Sequence, residues 1–398
     1  MRKRNKFAAF VMASVMACGL LAGCGDSAGK DGAAGAQPEG GAAQNDPSED
    51  TQGQQEENAG QTQGQEENPE AGGDTAAEVE PISLTLTTAY SETEMAGQII
   101  THFIEYLDQK SGGAVQVEVY WGGTLASNTE ELNFVGTGAA DMTVINQSIS
   151  ADVLPLMNFP SQVSGGYQAA VDFMDNIVFE NQATAPAIQA QIEAQNVKML
   201  GSVATGSNAF VSKEEAGSLG ELTTRKLGVG MNQSAFEALG FSGVVTVMPW
   251  DYYDNLSRGI ADAGYMSGAA LVSMSVHEVT PYFLMDGTYV AGNFITVNLD
   301  KWNSMSDAQK ALFEAAMDDT AAYSVELAQQ LDESAESTIE AAGGKVSTLS
   351  AEDTKAVQEA LFHTGVTDCR SFAQAAGCQE DMEAVLVAVS EYLGVTME

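Results

Sequence analysis

Apolar and polar residues follow two different periods from residue 82 onwards. The alternation at 82–86 and 115–119 has the two-residue period of β-strands, and the apolar residues of 95–107 recur at helical spacing. Gly112 and Gly113 stop this helix before the second strand begins. The resulting βαβ unit is the usual opening of an α/β fold.

Strands and helices continue to alternate as far as residue 299. In chain order the patterns predict the end of a short helix at 132–136, a strand at 142–146, helices at 167–177 and 184–194, strands at 197–204, 225–231, 244–248 and 263–266, and a pair of long strands within 283–299.

A single long helix follows this region. Ser306 and Gln309 have the spacing of a capping box, and the helical pattern continues to Gly343 and Gly344, which stop it. At 1.5 Å per residue, a helix of about 36 residues is ~54 Å long, which is wider than one small lobe. We therefore expect two lobes with this helix running along both.

The amino-terminal segment has the features of an export signal. Residues 1–23 begin with four basic residues and continue into an apolar run, 7–21, that is too short to span a bilayer. The sequence Leu-Ala-Gly-Cys at 21–24 resembles the lipobox of bacterial lipoproteins, in which the cysteine is acylated and the chain is cut before it. We predict an extracytoplasmic protein anchored to the cell membrane through Cys24 by acyl chains such as palmitate. An ordinary cleavage site with a chance cysteine is the alternative.

Residues 24–80 follow as a polar, acidic segment. They carry 14 acidic residues and one lysine, contain no aromatic residue, and have Val79 as their only branched aliphatic residue beyond Cys24. Such a composition cannot bury enough apolar area to offset its ordering entropy, so we predict a disordered tether. An acidic site for a metal ion or a basic partner is the alternative.

Charge and motifs argue against two functional classes. With 55 acidic and 16 basic residues the formal net charge is −39, whereas nucleic-acid binding needs Lys and Arg to neutralise phosphates. The chain has no GxSxG nucleophile motif and no phosphate-binding glycine loop, and its three histidines, His102, His277 and His363, are too scattered for a zinc site. We predict no nucleic-acid partner, no enzyme activity, no cofactor and no metal.

Two cysteines remain after the predicted processing, Cys369 and Cys378. In an exported chain this spacing favours a local disulfide, and a pair of reduced thiols is the alternative.

Several motifs, taken in order, resemble those of the solute receptors of tripartite ATP-independent periplasmic (TRAP) transporters, the DctP-like family. They lie at 122–125, 130–132, 135–142, 222–230, 236–240, 248–253 with Leu256 and Gly259, 277–279 with Tyr282, and 298–302.

The resemblance implies an α/β, periplasmic-binding-protein-like receptor that captures a small solute between two lobes and delivers it to TRAP-type permease subunits. By analogy, lobe I comprises 81–205 plus 294–333, and lobe II comprises 206–293 plus 334–398. A receptor of an ABC importer, a membrane sensor, an exported hydrolase and a structural surface lipoprotein are the alternatives.

The sequence departs from the family where the ligand's carboxylate is usually held. The family's arginine in the strand at 226–228 is replaced by Gly228, and a second family arginine falls at Asn208. Either the solute is neutral or cationic and is held by amides and aromatic rings, or an acid is held by Lys226 or by backbone amides. We favour the first interpretation.

The residues expected at the ligand combine the positions implied by the resemblance with nearby polar and aromatic side chains. They are Tyr90, Ser91, Glu130, Asn146, Gln147, Ser148, Asn208, Gly228, Asn232, Trp250, Tyr265 and Met266.

Overall fold

The computed structural model describes residues 79–148 and 151–397, which lie within one compact unit, Gly72–Glu398. The predicted signal peptide, Cys24 and the tether up to residue 78 lie outside the described residues. Within these residues, ten strands form one mixed sheet; they are β1 Ile82–Thr87, β2 Val115–Tyr120, β3 Met142–Asn146, β4 Val163–Ser164, β5 Val197–Ser212, β6 Lys226–Val229, β7 Gly243–Thr246, β8 Ala263–Ser267, β9 Tyr282–Asn298 and β10 Lys345–Thr348.

Helices cover the sheet and fill the connections between strands. They are α1 Met95–Ser111, α2 Glu131–Gly136, α3 Tyr167–Asp175, α4 Ala185–Ala194, α5 Leu219–Leu222, α6 Gln233–Ala238, α7 Tyr252–Ser257, α8 Gly268–Ser273, α9 Leu299–Ser304, α10 Asp307–Ala341, α11 Ala351–Ala376 and α12 Gln379–Leu393, with a π-helical turn at Asn176–Glu180 and 3₁₀ turns at Pro155–Met157, Pro249–Asp251 and Val276–Glu278. The predicted α/β class is confirmed. Among the described helices, none has the length and apolar character that a membrane span requires.

Two long strands connect the parts of the sheet. The strand order is β2-β1-β3-β9-β5-β8-β6-β7, with β10 and β4 also paired to β9. The strands β1, β2 and β3 run parallel to one another and form a first strand group, and β6, β7 and β8 form a second parallel group. The crossing strands β5 and β9 pair antiparallel with each other and join the two groups into a two-lobed fold.

The crossing strands differ from the prediction. The segment predicted as a pair of strands is one continuous strand, β9, and β5 extends eight residues beyond its predicted end at 204. Asp286-Gly287 suggests a hairpin turn in the sequence, but Gly287, at φ +76°, lies in a bulged part of the ladder. The chain continues as a strand because β5 pairs with it on both sides of the bulge.

The long helix α10 is confirmed with its predicted ends. The Ser306 side chain accepts a hydrogen bond from the Gln309 backbone N–H, and the Gln309 side chain accepts one from the Ser306 backbone N–H. Phe313 anchors the first turns in the core beneath α1, and Ile339 anchors the last turns against α7 and α8. The helix therefore contacts both parts of the molecule.

The carboxyl-terminal helices bridge different parts of the core. Val357 and Leu361 of α11 pack with β6 and α6, whereas Val385 and Leu386 of α12 pack with α3 and α4. The predicted lobe boundaries, with 334–398 in lobe II, stay a prediction.

The structure does not contain the predicted disulfide, because Cys369 and Cys378 are both free thiols. Cys369 is buried on α11 and donates a hydrogen bond to the Asn158 carbonyl oxygen over 2.7 Å. Burial raises the pKa of its thiol to about 12, so it stays protonated and unreactive.

Candidate functional site

The ends of the two strand groups meet at the middle of the crossing strands. In the first group Asn146, the last residue of β3, pairs with Asn293 of β9. In the second group Ser267, the last residue of β8, pairs with Asn208 of β5. The groups run in opposite directions, so both carboxyl ends point to the segment of β5 and β9 around 204–207 and 288–293. Ligands of open α/β sheets bind at such carboxyl edges.

A polar cluster lies at the edge of the first group. The hydroxyl of Tyr90 and the side-chain amide of Asn146 both donate to Oδ1 of Asn293, over 3.3 and 2.8 Å. Oδ1 of Asn146 in turn accepts from the backbone N–H and the hydroxyl of Ser148. Three of the predicted site residues, Tyr90, Asn146 and Ser148, therefore belong to one hydrogen-bond network. Its other member, Asn293, was not predicted from the sequence.

Three other predicted residues of this group have different surroundings. Gln147 is buried and donates to the Phe159 carbonyl oxygen over 2.8 Å, so it braces the core. Ser91 contacts Thr93 through its hydroxyl. Glu130 is exposed and accepts hydrogen bonds from the backbone and side chain of Ser127, which lower the pKa of its carboxyl. Its hydrogen bonds are therefore those of a local turn.

The neighbouring Glu131 is the buried acid of this edge. Its side chain is fully buried, and its carboxylate accepts a hydrogen bond from the Ala89 backbone N–H, which holds the loop that carries Tyr90. Burial raises the pKa of this carboxyl to about 7, against the opposing effect of the Ala89 hydrogen bond. The helical phase of α2 turns Glu131 inwards and leaves Glu130 on the surface, a difference that local sequence patterns do not reveal.

A second buried acid lies at the edge of the second group. The hydroxyl of Tyr265 donates to Asp286 over 2.5 Å, and Thr288 donates to the same carboxylate through its backbone N–H and its hydroxyl. Asn208 also hydrogen bonds to Tyr265, and burial raises the pKa of Asp286 to about 6. The predicted residues Asn208 and Tyr265 therefore share one hydrogen-bond network. Asp286, which was not predicted from the sequence, belongs to the same network.

Gly228 occupies a position that excludes a side chain in this packing. A Cβ atom added there would lie 2.7 Å from Cγ2 of Val247 and 3.3 Å from Cβ of Ala261. The glycine at the position where the resemblance implies an arginine is thus surrounded by aliphatic groups. Lys226, the alternative anchor for an acid, is exposed at the first residue of β6, the end of the strand opposite to the carboxyl edge.

The remaining predicted residues surround the carboxyl ends of β6, β7 and β8. Asn232 has a left-handed backbone, φ +59°, before α6, and Met266 packs towards α8. Trp250 follows β7 and is 74% exposed, and Met231, which follows β6, is 73% exposed. Both exposed side chains therefore lie at the carboxyl ends of the second strand group, where open α/β sheets bind their ligands.

The arginines of the described residues are engaged away from this edge. Arg225 donates to the carbonyl oxygens of Glu214 and Glu215, Arg258 pairs with Asp254, and Arg370 forms a two-pronged ion pair with Glu383. In the same part of the chain, no three acidic, histidine or cysteine side chains are grouped so that they could hold a metal ion.

Comparisons with known proteins agree with this geometry. A family model described as DctP, bacterial extracellular solute-binding protein, family 7, matches residues 86–364. The chain is 22% identical over 273 residues to solute-binding protein NAS141_03721 of Sulfitobacter sp. (strain NAS-14.1), covering 63% of this chain and 79% of the relative.

Two solved structures show the same fold. One is a TRAP periplasmic solute-binding protein from Ochrobactrum anthropi, with a TM-score of 0.64 and 19% identity, covering 79% of this chain and 97% of that chain. The other, from Sulfitobacter sp. NAS-14.1, has bound β-D-galacturonate; its TM-score is 0.57 and its identity 15%, covering 77% of this chain and 99% of that chain.

Glu131→Gln is expected to weaken the pH dependence of stability. The folded-state pKa of about 7 lies above the ordinary value of 4.5, so between these values the folded protein holds a proton that the unfolded chain has released. The contribution of this proton to the free energy of unfolding is complete below pH 4.5 and is lost as the pH rises through 7. Urea unfolding between pH 5 and 7.5 measures the free energy of unfolding, which should fall less steeply with pH in the variant. The difference in slope corresponds to at most one bound proton.

Glu130→Gln is the matched control for this experiment. Hydrogen bonds lower the pKa of Glu130, so its carboxylate is ionised in the folded state throughout this window, and in the unfolded state, with a pKa of 4.5, it is ionised from about pH 6 upwards. Above that pH, the slope of this variant should equal that of the unaltered protein. An equally steep slope in Glu131→Gln would show that Glu131 does not hold the proton.

Proposed function

Because the chain belongs to the bacterial extracellular solute-binding proteins, family 7, the DctP family, we propose that it captures a small solute between its lobes and delivers it to TRAP-type permease subunits. The family and its structural neighbours are extracytoplasmic solute receptors and not enzymes. We accordingly propose a receptor role without catalysis for this chain. The proposed lobes are 81–205 plus 294–333 and 206–293 plus 334–398.

The observation that carries this proposal is the convergence of two sheet edges on the crossing strands. Asn146 and Asn293 supply amide groups at one edge, and Asn208 and Tyr265 lie at the other. A solute between the edges would contact both strand groups at once, and it would therefore favour a closed arrangement of the lobes over an open one.

We propose that the solute is neutral or cationic. Lys226 is at the far end of its strand, and the described arginines are engaged elsewhere, so neither supplies a carboxylate anchor at the converging edges. Amide groups and exposed apolar side chains such as Trp250 and Met231 suit a ligand without a carboxylate anchor.

We also propose that the protein is a lipoprotein tied to the cell membrane. The support is the basic and apolar start of the chain followed by the Leu-Ala-Gly-Cys sequence at 21–24. Acyl chains on Cys24 would contribute ~0.8 kcal/mol per buried CH₂ group, and two or more chains anchor a protein stably. The anchor would keep the receptor close to its permease.

The proposal is tested by a thermal-shift screen of the protein with neutral, cationic and acidic solutes, followed by small-angle X-ray scattering. A bound solute raises the melting temperature in a concentration-dependent way. The same solute should reduce the radius of gyration, and a solute without a thermal effect should leave it unchanged. A rise in melting temperature without compaction would contradict the closure mechanism.

Trp250→Ala is expected to weaken solute binding at least tenfold while leaving the melting temperature of the unliganded protein nearly unchanged. The side chain is 74% exposed, so its removal costs little folding energy, whereas a solute covered by the indole loses that contact. Isothermal titration of the solute found in the screen measures the effect. Phe372→Ala, at an exposed aromatic residue of α11, is the control and should bind normally. Equal affinities in both variants would remove Trp250 from the site.

Cys24→Ser is expected to abolish acylation and to release the protein from the membrane fraction. Metabolic labelling with an alkyne analogue of palmitate and fractionation of the cells measure both effects. Cys18→Ser changes a cysteine within the apolar run and should leave labelling intact. Labelling that persists in Cys24→Ser would place the lipid on another residue, and an unaltered protein without labelling would contradict the lipid anchor.

A further inference from the structure

A cavity of about 260 Å³ lies between the second half of α10 and the crossing strands. It shares Ser207, Thr288 and Tyr289 with the segment on which the strand groups converge, and Gly268 follows the carboxyl end of β8. Ser347, on β10, closes another side. The cavity is close to the lower limit of about 300 Å³ for small-molecule sites, so its occupant is small.

The charged groups of this cavity are all acidic. Asp332 and Glu336, one helical turn apart on α10, are its ionisable carboxyl groups, and the lining, all of it within the described residues, contains no Lys, Arg or His. Like charges at this spacing repel each other. Thr288, which is also in the lining, donates to the carboxylate of the buried Asp286. Asp286 is therefore a third carboxyl group near the cavity, although it does not line it.

Hydroxyl groups hold Asp332 in place but leave its charge uncompensated. The hydroxyls of Tyr167 and Ser207 both donate to Oδ2 of Asp332, over 2.6 and 2.9 Å. Burial raises the pKa of this carboxyl although both hydrogen bonds oppose the rise. The pKa of Tyr289 is raised first by burial and then by the charges of Asp332 and Asp286, so both carboxylates act on the same wall of the cavity.

Aromatic and apolar groups complete the lining. Phe283, Met285 and Ile339 provide an apolar floor, and the Tyr289 ring stands edge-on to Tyr167 at 4.8 Å between centroids. A negative, partly apolar cavity with an aromatic wall is the environment that binds ammonium groups, through ion pairing and cation–π contact. An anion in this cavity would be repelled by the carboxylates, whose charge no basic group of the described lining compensates.

We propose that this cavity binds the cationic amine of the solute. The ammonium group would pair with Asp332, and Glu336 would lie at the mouth of the cavity. The assignment rests on the proposed receptor function, and it narrows the solute class from neutral or cationic to small amines. A cation here would contact α10, β5 and β9 together. It would thereby link the helix that runs along both lobes to the strands that join them.

Three four-carbon probes of matched shape test the ligand class. Addition of 1,4-diaminobutane to the protein should raise its melting temperature, whereas 1,4-butanediol and succinate should have at most a tenth of its apparent affinity. Choline, a quaternary amine, should also stabilise the protein. Equal or stronger stabilisation by the diol or the diacid, or no effect of either amine, would overturn the assignment.

Charge reversal at the mouth tests the location. Glu336→Lys should weaken 1,4-diaminobutane binding at least tenfold, because it places a cation where the probe enters. Glu340→Lys, one turn further along α10, makes the same charge change at an exposed position outside the cavity and should bind normally. Both side chains are exposed, so both variants are expected to fold. Equal affinities in the two variants would overturn the location.

Asp332→Asn keeps the shape of the acceptor and removes its charge. Its affinity for 1,4-diaminobutane should fall at least tenfold, with folding checked by circular dichroism. In the unaltered protein the affinity should rise with pH as Asp332 ionises, above the ordinary range of an aspartate because burial raises its pKa. The other groups that face it are Glu336 on the same helix, Tyr167 on α3, and Tyr289 and Asp286 on β9. A flat pH profile that matches that of Asp332→Asn would contradict the role of this carboxyl.

The two proposals fail in different ways. If a neutral or acidic solute raises the melting temperature and compacts the protein while both amines are inactive, the receptor function stands and the amine site is wrong. If no solute of any class compacts the protein, the receptor function itself is contradicted.

Discussion

The antiparallel pairing of β5 with β9 is the interaction on which the rest of the structure depends. These strands hydrogen bond along most of their length, and every other part of the sheet attaches to one of them. The first strand group joins through β3 and the second through β8, on opposite sides of the pair. Without this ladder the two groups would have no common sheet, and their carboxyl ends would have no reason to converge.

Burial of carboxyl groups near this ladder sets the chemistry of the site. Asp286 and Asp332 are held by hydroxyl donors, whereas a basic partner would have stabilised their charged forms. Burial raises the pKa of each group, and the hydrogen bonds from the hydroxyls only partly offset this rise because they do not cancel the charge. The proposed amine site would differ from a receptor that holds its ligand by arginine, because its charged groups are carboxylates.

Much of the fold could be predicted from the sequence because its signals are local. The alternation in β1, the helical period of α1 and the capping box at Ser306 depend on residues close together in the chain, and all are confirmed. The continuous strand β9 could not be predicted in the same way. Its Asp286-Gly287 pair favours a turn locally, and only the pairing with β5, more than 70 residues away, keeps the chain extended.

The candidate site shows the same division between local and distant information. Amide residues at strand ends, such as Asn146, can be found from the pattern, since carboxyl ends of parallel strands form ligand sites. Asn293 looks like an interior residue of a strand, and its role follows only from its position opposite Asn146. The cysteines illustrate the converse error, because their spacing fits a disulfide while the inward turn of α11 directs Cys369 to Asn158.

The crossing strands are not uniform along their length. Their register shifts four times between Met199 and Ala209 of β5, whereas the pairing is regular at 197–199 and 209–212. Each bulge leaves a residue outside the ladder and adds local twist and bend. The pair of strands therefore has a regular ladder at its two ends, where it joins the strand groups, and an interrupted ladder at its centre. A rotation of the two ends relative to each other would act on that short stretch, where regular ladder hydrogen bonds between the strands are fewest.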